Sequence, residues 1–251
     1  TYTGFVAGTT VQGMSGAVTR MEKGYPMAYF WGYKTMGIFQ NQEEVNSYIH
    51  INEDGTKQLI QPDAKPGDFR FQDTNNDGVI DDNDRQNLGN PYPDVTYGFN
   101  LNLEYRGFDL TINTSGTIGN KVFSVLRRMD LPMSNYQSWA LGRWHGEGTS
   151  NSIPRVTTND TNQSWSKPSD FHVKDGSYFR VRNIMLGYTT KLLKNYYIES
   201  LRVYASVNNL FTFTKYEGYD PEIGGGVMST GVDSGVYPHP RTVSFGINVT
   251  F

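Results

Sequence analysis

The chain has 251 residues, with Lys+Arg 22 against Asp+Glu 25, which denies it the basic face that nucleic acid requires. Hydrophobic residues make up 37% and aromatics 14%, a skew towards Tyr and Phe that suits strands and interfacial girdles, and no apolar run is long enough for a transmembrane helix. Cysteine is absent, so there is no disulfide, no thiolate nucleophile and no cysteine-ligated metal.

The opening Thr1-Tyr2-Thr3-Gly4 has neither the basic nor the apolar stretch of a signal peptide. The chain is therefore expected to be mature, or a piece of something longer.

The first segment with chemistry of its own runs from Asp73 to Asp84. Asp73, Asn75, Asp77, Asp81 and Asp84 place oxygen donors at loop positions 1, 3, 5, 9 and 12, with Gly78 at 6, the Val79 carbonyl at 7 and Ile80 at 8. That is the spacing of an EF-hand calcium loop, with Asp standing where Glu is usual. A structural Ca²⁺ is expected, and the short reach of Asp84 leaves weaker binding or Mg²⁺ as the alternative. The competing reading is a solvated loop held by Asx turns. Phe69 to Phe71 reads as extended, so no helix–loop–helix is expected around it.

Strands follow. From 95 to 105, Tyr97, Phe99, Leu101, Leu103 and Tyr105 alternate with Thr96, Gly98, Asn100, Asn102 and Glu104, the period of a strand with two unlike faces. Arg106-Gly107 is a tight-turn signal. Residues 108 to 118 set Phe108, Leu110 and Ile112 against Asp109, Thr111, Asn113 and Ser115.

The next stretch changes period. Val122, Leu126 and Met129 fall at helical spacing, and Ser134 before Trp139, Ala140, Arg143 and Trp144 resembles a capped second helix. Trp139, Trp144 and Trp165 are candidate platforms for stacking on sugar faces. The alternative is that they form the small core of their own loop.

Alternation returns at 178 to 190, where the apolar residues move from odd positions (Phe179, Val181) to even ones (Ile184, Leu186, Tyr188). The shift predicts a bulge near Arg182-Asn183. Residues 201 to 213 put Leu201, Val203, Ala205, Val207, Phe211 and Phe213 on one face. Residues 241 to 251 set Val243, Phe245, Ile247, Val249 and Phe251 against Thr242, Ser244, Gly246, Asn248 and Thr250.

His50, His145, His172 and His239 share no ligand spacing, and no Gly-x-Ser-x-Gly occurs, so neither a zinc site nor a nucleophile elbow is predicted. The protein is expected not to be an enzyme. The links after 105 and 190 are short, whereas long irregular stretches precede 95 and separate 118 from 178 and 213 from 241. Short turns at one end and long loops at the other are the pattern of outer-membrane barrels, with the short side in the periplasm. The 67–94 and 119–177 segments are then extracellular loops. Five strands cannot close such a barrel, whose minimum is about eight, so the chain reads as a fragment.

Five stretches carry a resemblance to a known family: GYPMAYFWGYKTMGIFQNQEEV (24–45), GDFRFQDTNNDGVIDDNDRQNLGNPYPDVTYGFNLNLEYRGFDL (67–110), DGSYFRVRNIMLGYT (175–189), LRVYASVNNLFTFTKYEGYDPEI (201–223) and YPHPRTVSFGINVTF (237–251). Together they resemble the C-terminal barrel region of the SusC/RagA-type TonB-linked outer-membrane transporters of Bacteroidetes. The resemblance implies an all-β fold, the C-terminal strands of an antiparallel transmembrane β-barrel of about 22 strands around a plugged lumen. It implies import of oligosaccharides or oligopeptides, a SusD-like surface lipoprotein as partner, and energy from the TonB complex. In that family the plug and the TonB-contacting segment lie in the amino-terminal part, which nothing here matches. A calcium-stabilised surface adhesin or binding module is the alternative function. A glycan-degrading enzyme is a weaker one, since no paired-carboxylate or nucleophile signature appears.

Overall fold

The computed structural model describes residues 7–126, 128–130, 135–191 and 198–251. In chain order the first strands are β1 (Thr19–Arg20), β2 (Tyr29–Gly32), β3 (Thr35–Ile38), β4 (Ile49–Ile51), β5 (Lys57–Leu59), β6 (Phe69–Phe71) and β7 (Gln86–Gly89). They are followed by β8 (Val95–Tyr105), β9 (Phe108–Ile118), β10 (Lys121–Ser124), β11 (Val173–Asp175), β12 (Tyr178–Thr190), β13 (Ser200–Thr214), β14 (Val232–Asp233) and β15 (Thr242–Thr250). One α-helix, α1 (Gln42–Ser47), occurs among the described residues.

The chain divides into two units. The unit formed by Tyr92–Lys121, Asp175–Glu222 and Val236–Phe251 is built on a five-stranded antiparallel sheet in the order β15-β13-β12-β9-β8. Every strand of it was predicted, and its faces follow the alternation. One face carries apolar rungs running from β8 across to β15. Leu103, Leu110, Leu186, Ala205 and Phe245 form one, and Leu101, Ile112, Ile184, Val207 and Val243 the next. The opposite face carries polar rungs, among them Asn100, Asn113, Asn183, Asn208 and Thr242. The register shifts between Val181 and Asn183, where the bulge was predicted.

The apolar face is open to solvent. Phe99, Leu103, Phe213 and Phe245 are 59%, 52%, 60% and 81% exposed, where a soluble sheet would cover such residues with a second layer. Aromatic residues border this face at both ends. Tyr97, Phe179 and Phe213 stack in a row at one end, with centroids 6.3 and 6.1 Å apart. At the other, Tyr105 lies beside Phe108, which packs on Tyr188 at 4.6 Å. Tyr97 and Tyr105 lie in the one strand, β8, about 27 Å apart along it, or ~20 Å at a tilt of about 40°; the lipid-facing band of an outer-membrane barrel is about 25 Å tall.

The β8–β9 connection is a two-residue turn with Arg106 at φ 49° and Gly107 at φ 89°. Positive φ at both central positions defines the type I′ turn, whose twist matches an antiparallel pair.

The other unit is Thr1–Pro91, Val122–Lys174 and Ile223–Gly235. It gathers the long stretches between the sheet strands around shared cores. Tyr33, Ile38, Phe69, Phe71, Met129, Trp165 and Phe171 form one cluster, with Val18, Phe30, Phe123 and Val232 in a second. Each buried aromatic or branched side chain of this kind contributes about 1.5–3 kcal/mol relative to exposure. In α1 the Asn41 carbonyl oxygen Oδ1 accepts from the Glu44 amide at 3.0 Å, and Val45 is buried beside Phe39 and Ala64. Asn41-x-x-Glu44 is a capping signal that leaves no mark in the hydrophobic periodicity.

Two helical expectations are corrected. Among the described residues of 121–130 there is no helix: Lys121–Ser124 is β10, and Phe123 and Ser124 pair in parallel with Val232 and Asp233 of β14. The β-branched and aromatic residues Val122 and Phe123 belong to a short strand buried on both sides, and the helical spacing of Val122, Leu126 and Met129 was coincidence. The proposed cap Ser134 lies outside the described residues. Trp139 and Ala140 sit in a short 3₁₀ turn, Ser138–Gly142, whose N-cap Gln137 makes no side-chain capping bond.

Candidate functional site

The acidic loop sits between β6 and β7 and is fixed at both ends. Asp73 and Asp84 are 9% and 0% exposed, whereas Asn75 and Asp77 lie in solvent. Gly78 has φ +84°, and a Cβ there would come within 2.7 Å of His50, so only glycine makes this bend. Ile80, the hydrophobe at loop position 8, packs against the larger core.

The carboxylates are partly taken by the loop's own amides. Asp73 Oδ2 accepts from Gly78 N at 2.9 Å, Asp77 Oδ1 from Val79 N at 3.0 Å and Asp81 Oδ1 from Asn83 N at 2.7 Å. Asp84 accepts from Thr74 N at 2.6 Å and from Asp81 N at 2.8 Å, the second bond completing a capping box over the 3₁₀ turn Asp82–Asp84. Burial raises the Asp84 carboxyl above its ordinary range, and the charge of Asp73 adds to this against the amide bonds. Val79 itself is exposed.

The tryptophans form a core. Trp165 is fully buried and donates from Nε1 to the Arg155 carbonyl at 3.1 Å; Trp139 lies 6.5 Å from it, and Trp144 packs on the same cluster. Of the two readings of these residues, the loop core is the one the packing matches. Trp165 presents no face to a ligand. Trp139 and Trp144 are half-buried.

The sheet unit holds a charged cluster that the sequence did not reveal. Arg180 donates from Nη2 to Asp220 Oδ1 at 2.5 Å and from Nη1 to Glu222 Oε2 at 3.0 Å, while Arg182 Nη2 reaches Glu222 Oε1 at 2.8 Å. His239 Nδ1 lies 2.9 Å from Asp220 Oδ2. Asp220, Glu222 and His239 have ligand atoms within 4.8 Å of one another, the spacing of a three-ligand metal site. Two guanidinium groups already neutralise both carboxylates, so the cluster is an ion-pair network that pins β12 to the segment between β13 and β15. The legible part was the pair Arg180 and Arg182 at the head of a strand whose other polar positions are Asn and Thr. Their partners, some forty residues on, were not legible.

Further along the polar face, Arg202 of β13 grips Asp109 of β9 with Nε at 3.1 Å and Nη2 at 2.6 Å. The pair crosses above β12 at Gly187, where a Cβ would lie 2.4 Å from Asp109 Oδ1 and 2.8 Å from Arg202 Nη2. The two faces of this sheet, one apolar between aromatic borders and one lined with amides and ion pairs, are those of a transmembrane β-barrel wall.

No family model matches the chain. The chain is 30% identical over 244 residues to TonB-dependent receptor P26 of Formosa agariphila, covering 93% of this chain and 23% of that receptor. It is 27% identical over 198 residues to TonB-dependent receptor SusC of Bacteroides thetaiotaomicron, covering 78% of this chain and 19% of SusC. Among solved structures, that of the RagAB peptide transporter superposes with a TM-score of 0.66 at 21% identity, over 93% of this chain and 24% of that one. The RagAB importer in its closed-closed state gives 0.64 over the same shares. The chain belongs to the SusC/RagA-type TonB-dependent receptors, and it spans about a quarter of the length of the relatives it matches.

Proposed function

We propose that this chain forms part of the barrel wall of an outer-membrane importer, in a Gram-negative bacterium of the Bacteroidetes. The whole protein takes up oligosaccharides or oligopeptides, works with a SusD-like surface lipoprotein, and draws energy from the TonB complex. The observation that carries this reading is the apolar face of the five-stranded sheet, exposed between two rows of aromatic residues and backed by a polar face. On this reading the apolar rungs meet lipid, the asparagine rung and the Asp109–Arg202 pair face the lumen, and the long connections lie outside the cell. The names of the relatives support import: one is SusC, and the solved structures are of a peptide transporter.

The test has two parts. The chain contains no cysteine, so single cysteines at Phe245 and Ser244, in a receptor freed of any others, report the environment of each face. A lipid-phase quencher should reach a fluorophore at Phe245 and an aqueous quencher one at Ser244; equal quenching of both would sink the barrel-wall reading. Uptake of labelled oligopeptide and oligosaccharide pools into cells with and without TonB then tests import. Surface binding without TonB-dependent accumulation would favour the adhesin reading.

A further inference from the structure

We propose that the 73–84 loop is a calcium site built around Asp73 Oδ1, independent of what the barrel transports. Asx turns account for Asn75, Asp77 and Asp81, which are satisfied by neighbouring amides, the first two exposed and Asp81 half-buried. They do not account for Asp73. Its side chain is nine-tenths buried, Oδ2 is held by the Gly78 amide, and Oδ1 is sealed from solvent with no hydrogen-bond partner. A carboxylate oxygen buried without a partner is costly, and burying a charge is more so. The fully buried Asp84 carboxylate sits across the loop, bonded to the amide of Thr74 next to Asp73 and to that of Asp81. Among the described residues, neither carboxylate has a Lys, Arg or His nitrogen within salt-bridge distance. Lys167, which feels the charge of Asp84, lies over the rings of Tyr33 and Phe71, at 5.4 and 5.1 Å, and makes no ion pair with either carboxylate. The buried Oδ1 of Asp73 is therefore the oxygen that a bound cation would satisfy.

The donors define which cation fits. All are oxygens: the carboxylates of Asp73, Asp77, Asp81 and Asp84, the Asn75 amide and the Val79 carbonyl, a hard set suited to Ca²⁺ or Mg²⁺. Calcium is favoured because it accepts six to eight oxygens in a flexible shell, whereas Mg²⁺ demands a near-ideal octahedron and keeps several waters. The loop already has the bend at Gly78, the anchor at Ile80 and the Asp81–Asp84 capping box in place. Asp77 and Asp81 are engaged with the loop's own amides and must release them to close on an ion. Binding should therefore be weak, on the scale of about 10⁻⁴ to 10⁻³ M.

The experiment uses the full receptor, purified in detergent and stripped with EDTA. It compares wild type with Asp73→Asn, with Asp77→Asn (exposed, and so safe for folding) and with Asp54→Asn, an Asx-turn control outside the loop. Calcium bound is counted by elemental analysis after equilibrium dialysis, and melting is followed with EDTA, calcium or magnesium. Wild type and Asp54→Asn should bind one more calcium per chain than Asp73→Asn. Asp77→Asn should lose affinity by at least about tenfold, the lower end of what even a supporting residue costs a metal site. Asp73→Asn should melt at or above wild type in EDTA and below it in calcium. A carboxylate with only a structural role would lose stability in both. Equal calcium counts in wild type and both loop variants, or stabilisation by magnesium and not by calcium, would overturn the assignment.

Discussion

Arg180 and Asp220 form an ion pair 2.5 Å long whose side chains are only 2% and 4% exposed. Removing one member of such a pair leaves the other charged in a dry site, which costs about 3–5 kcal/mol. Asp220→Ala should accordingly lower the stability of the folded receptor by that order. Glu222→Ala, at a side chain that is 36% exposed, should cost much less. Comparable losses in the two variants, measured by thermal or denaturant melts in one detergent, would show that Arg180 is not held mainly by Asp220.

The same cluster sets a pH dependence. Burial would push the Asp220 carboxyl up, but hydrogen bonds from His239, from the Glu222 and His239 amides and from Arg180 outweigh it and bring the group down to about 2. Its folded value lies below its ordinary value of 3.8, so the carboxylate contributes stability in full above about pH 4. That contribution fades as the pH falls towards 2, where the folded form takes up its proton. Stability of wild type relative to Asp220→Asn should shrink as the pH falls from about 4 towards 2. A difference that stays constant down to pH 2 would contradict the ion-pair assignment.

The two faces of β15 differ most in what they tolerate. Phe245 is 81% exposed on the apolar face, and Ser244 points to the polar one. A lysine on the lipid face near the middle of a barrel wall costs about 2–4 kcal/mol, and a lysine facing a wet lumen costs little. Phe245→Lys should therefore reduce the folded, heat-modifiable fraction in outer membranes, and Ser244→Lys should leave it near wild type. In water the order would reverse, since an exposed phenylalanine replaced by lysine improves solubility.

The trio Trp139, Trp144 and Trp165 allows a similar separation of roles. Trp165 is fully enclosed, so Trp165→Ala should cost about 3–5 kcal/mol through the cavity it leaves. Trp139→Phe keeps a ring against the same cluster and should cost far less. If both variants bound cargo more weakly while melting as wild type does, the tryptophans would be a ligand surface after all.

Period-two alternation is a local property, and the strands it specifies were legible nearly to the residue: 201–213 was predicted where Ser200–Thr214 is found. The slip at Arg182-Asn183 was legible for the same reason, because a bulge leaves its mark in the order of side chains. Residues 121–124 were misjudged because a short strand buried on both sides has no alternation, and three apolar residues can mimic a helical stripe. The Arg180 cluster and the shared core of the long connections were beyond reach in principle. Asp220 and His239 lie far from Arg180 along the chain, and only the pairing of β12 with β13 and of β13 with β15 brings them together. The acidic loop lies between these cases: its spacing gave the donors, and the unpartnered oxygen of Asp73 needed coordinates.

Gly187 offers the sharpest test of the polar face. The Asp109–Arg202 pair links two strands that are not neighbours, passing over β12 where residue 187 has no side chain. A methyl group there would press on Asp109 Oδ1 and Arg202 Nη2 together. Gly187→Ala should cost about 1–3 kcal/mol, the usual range for overpacking, even though alanine is at least as good a strand former as glycine. If the damage acts through the ion pair, Gly187→Ala should cost less once Asp109→Asn has already weakened it, with a coupling of about 0.5–3 kcal/mol in a double-mutant cycle. Strict additivity of the two substitutions would mean that Gly187 is kept for some reason other than the passage of Arg202 over the strand.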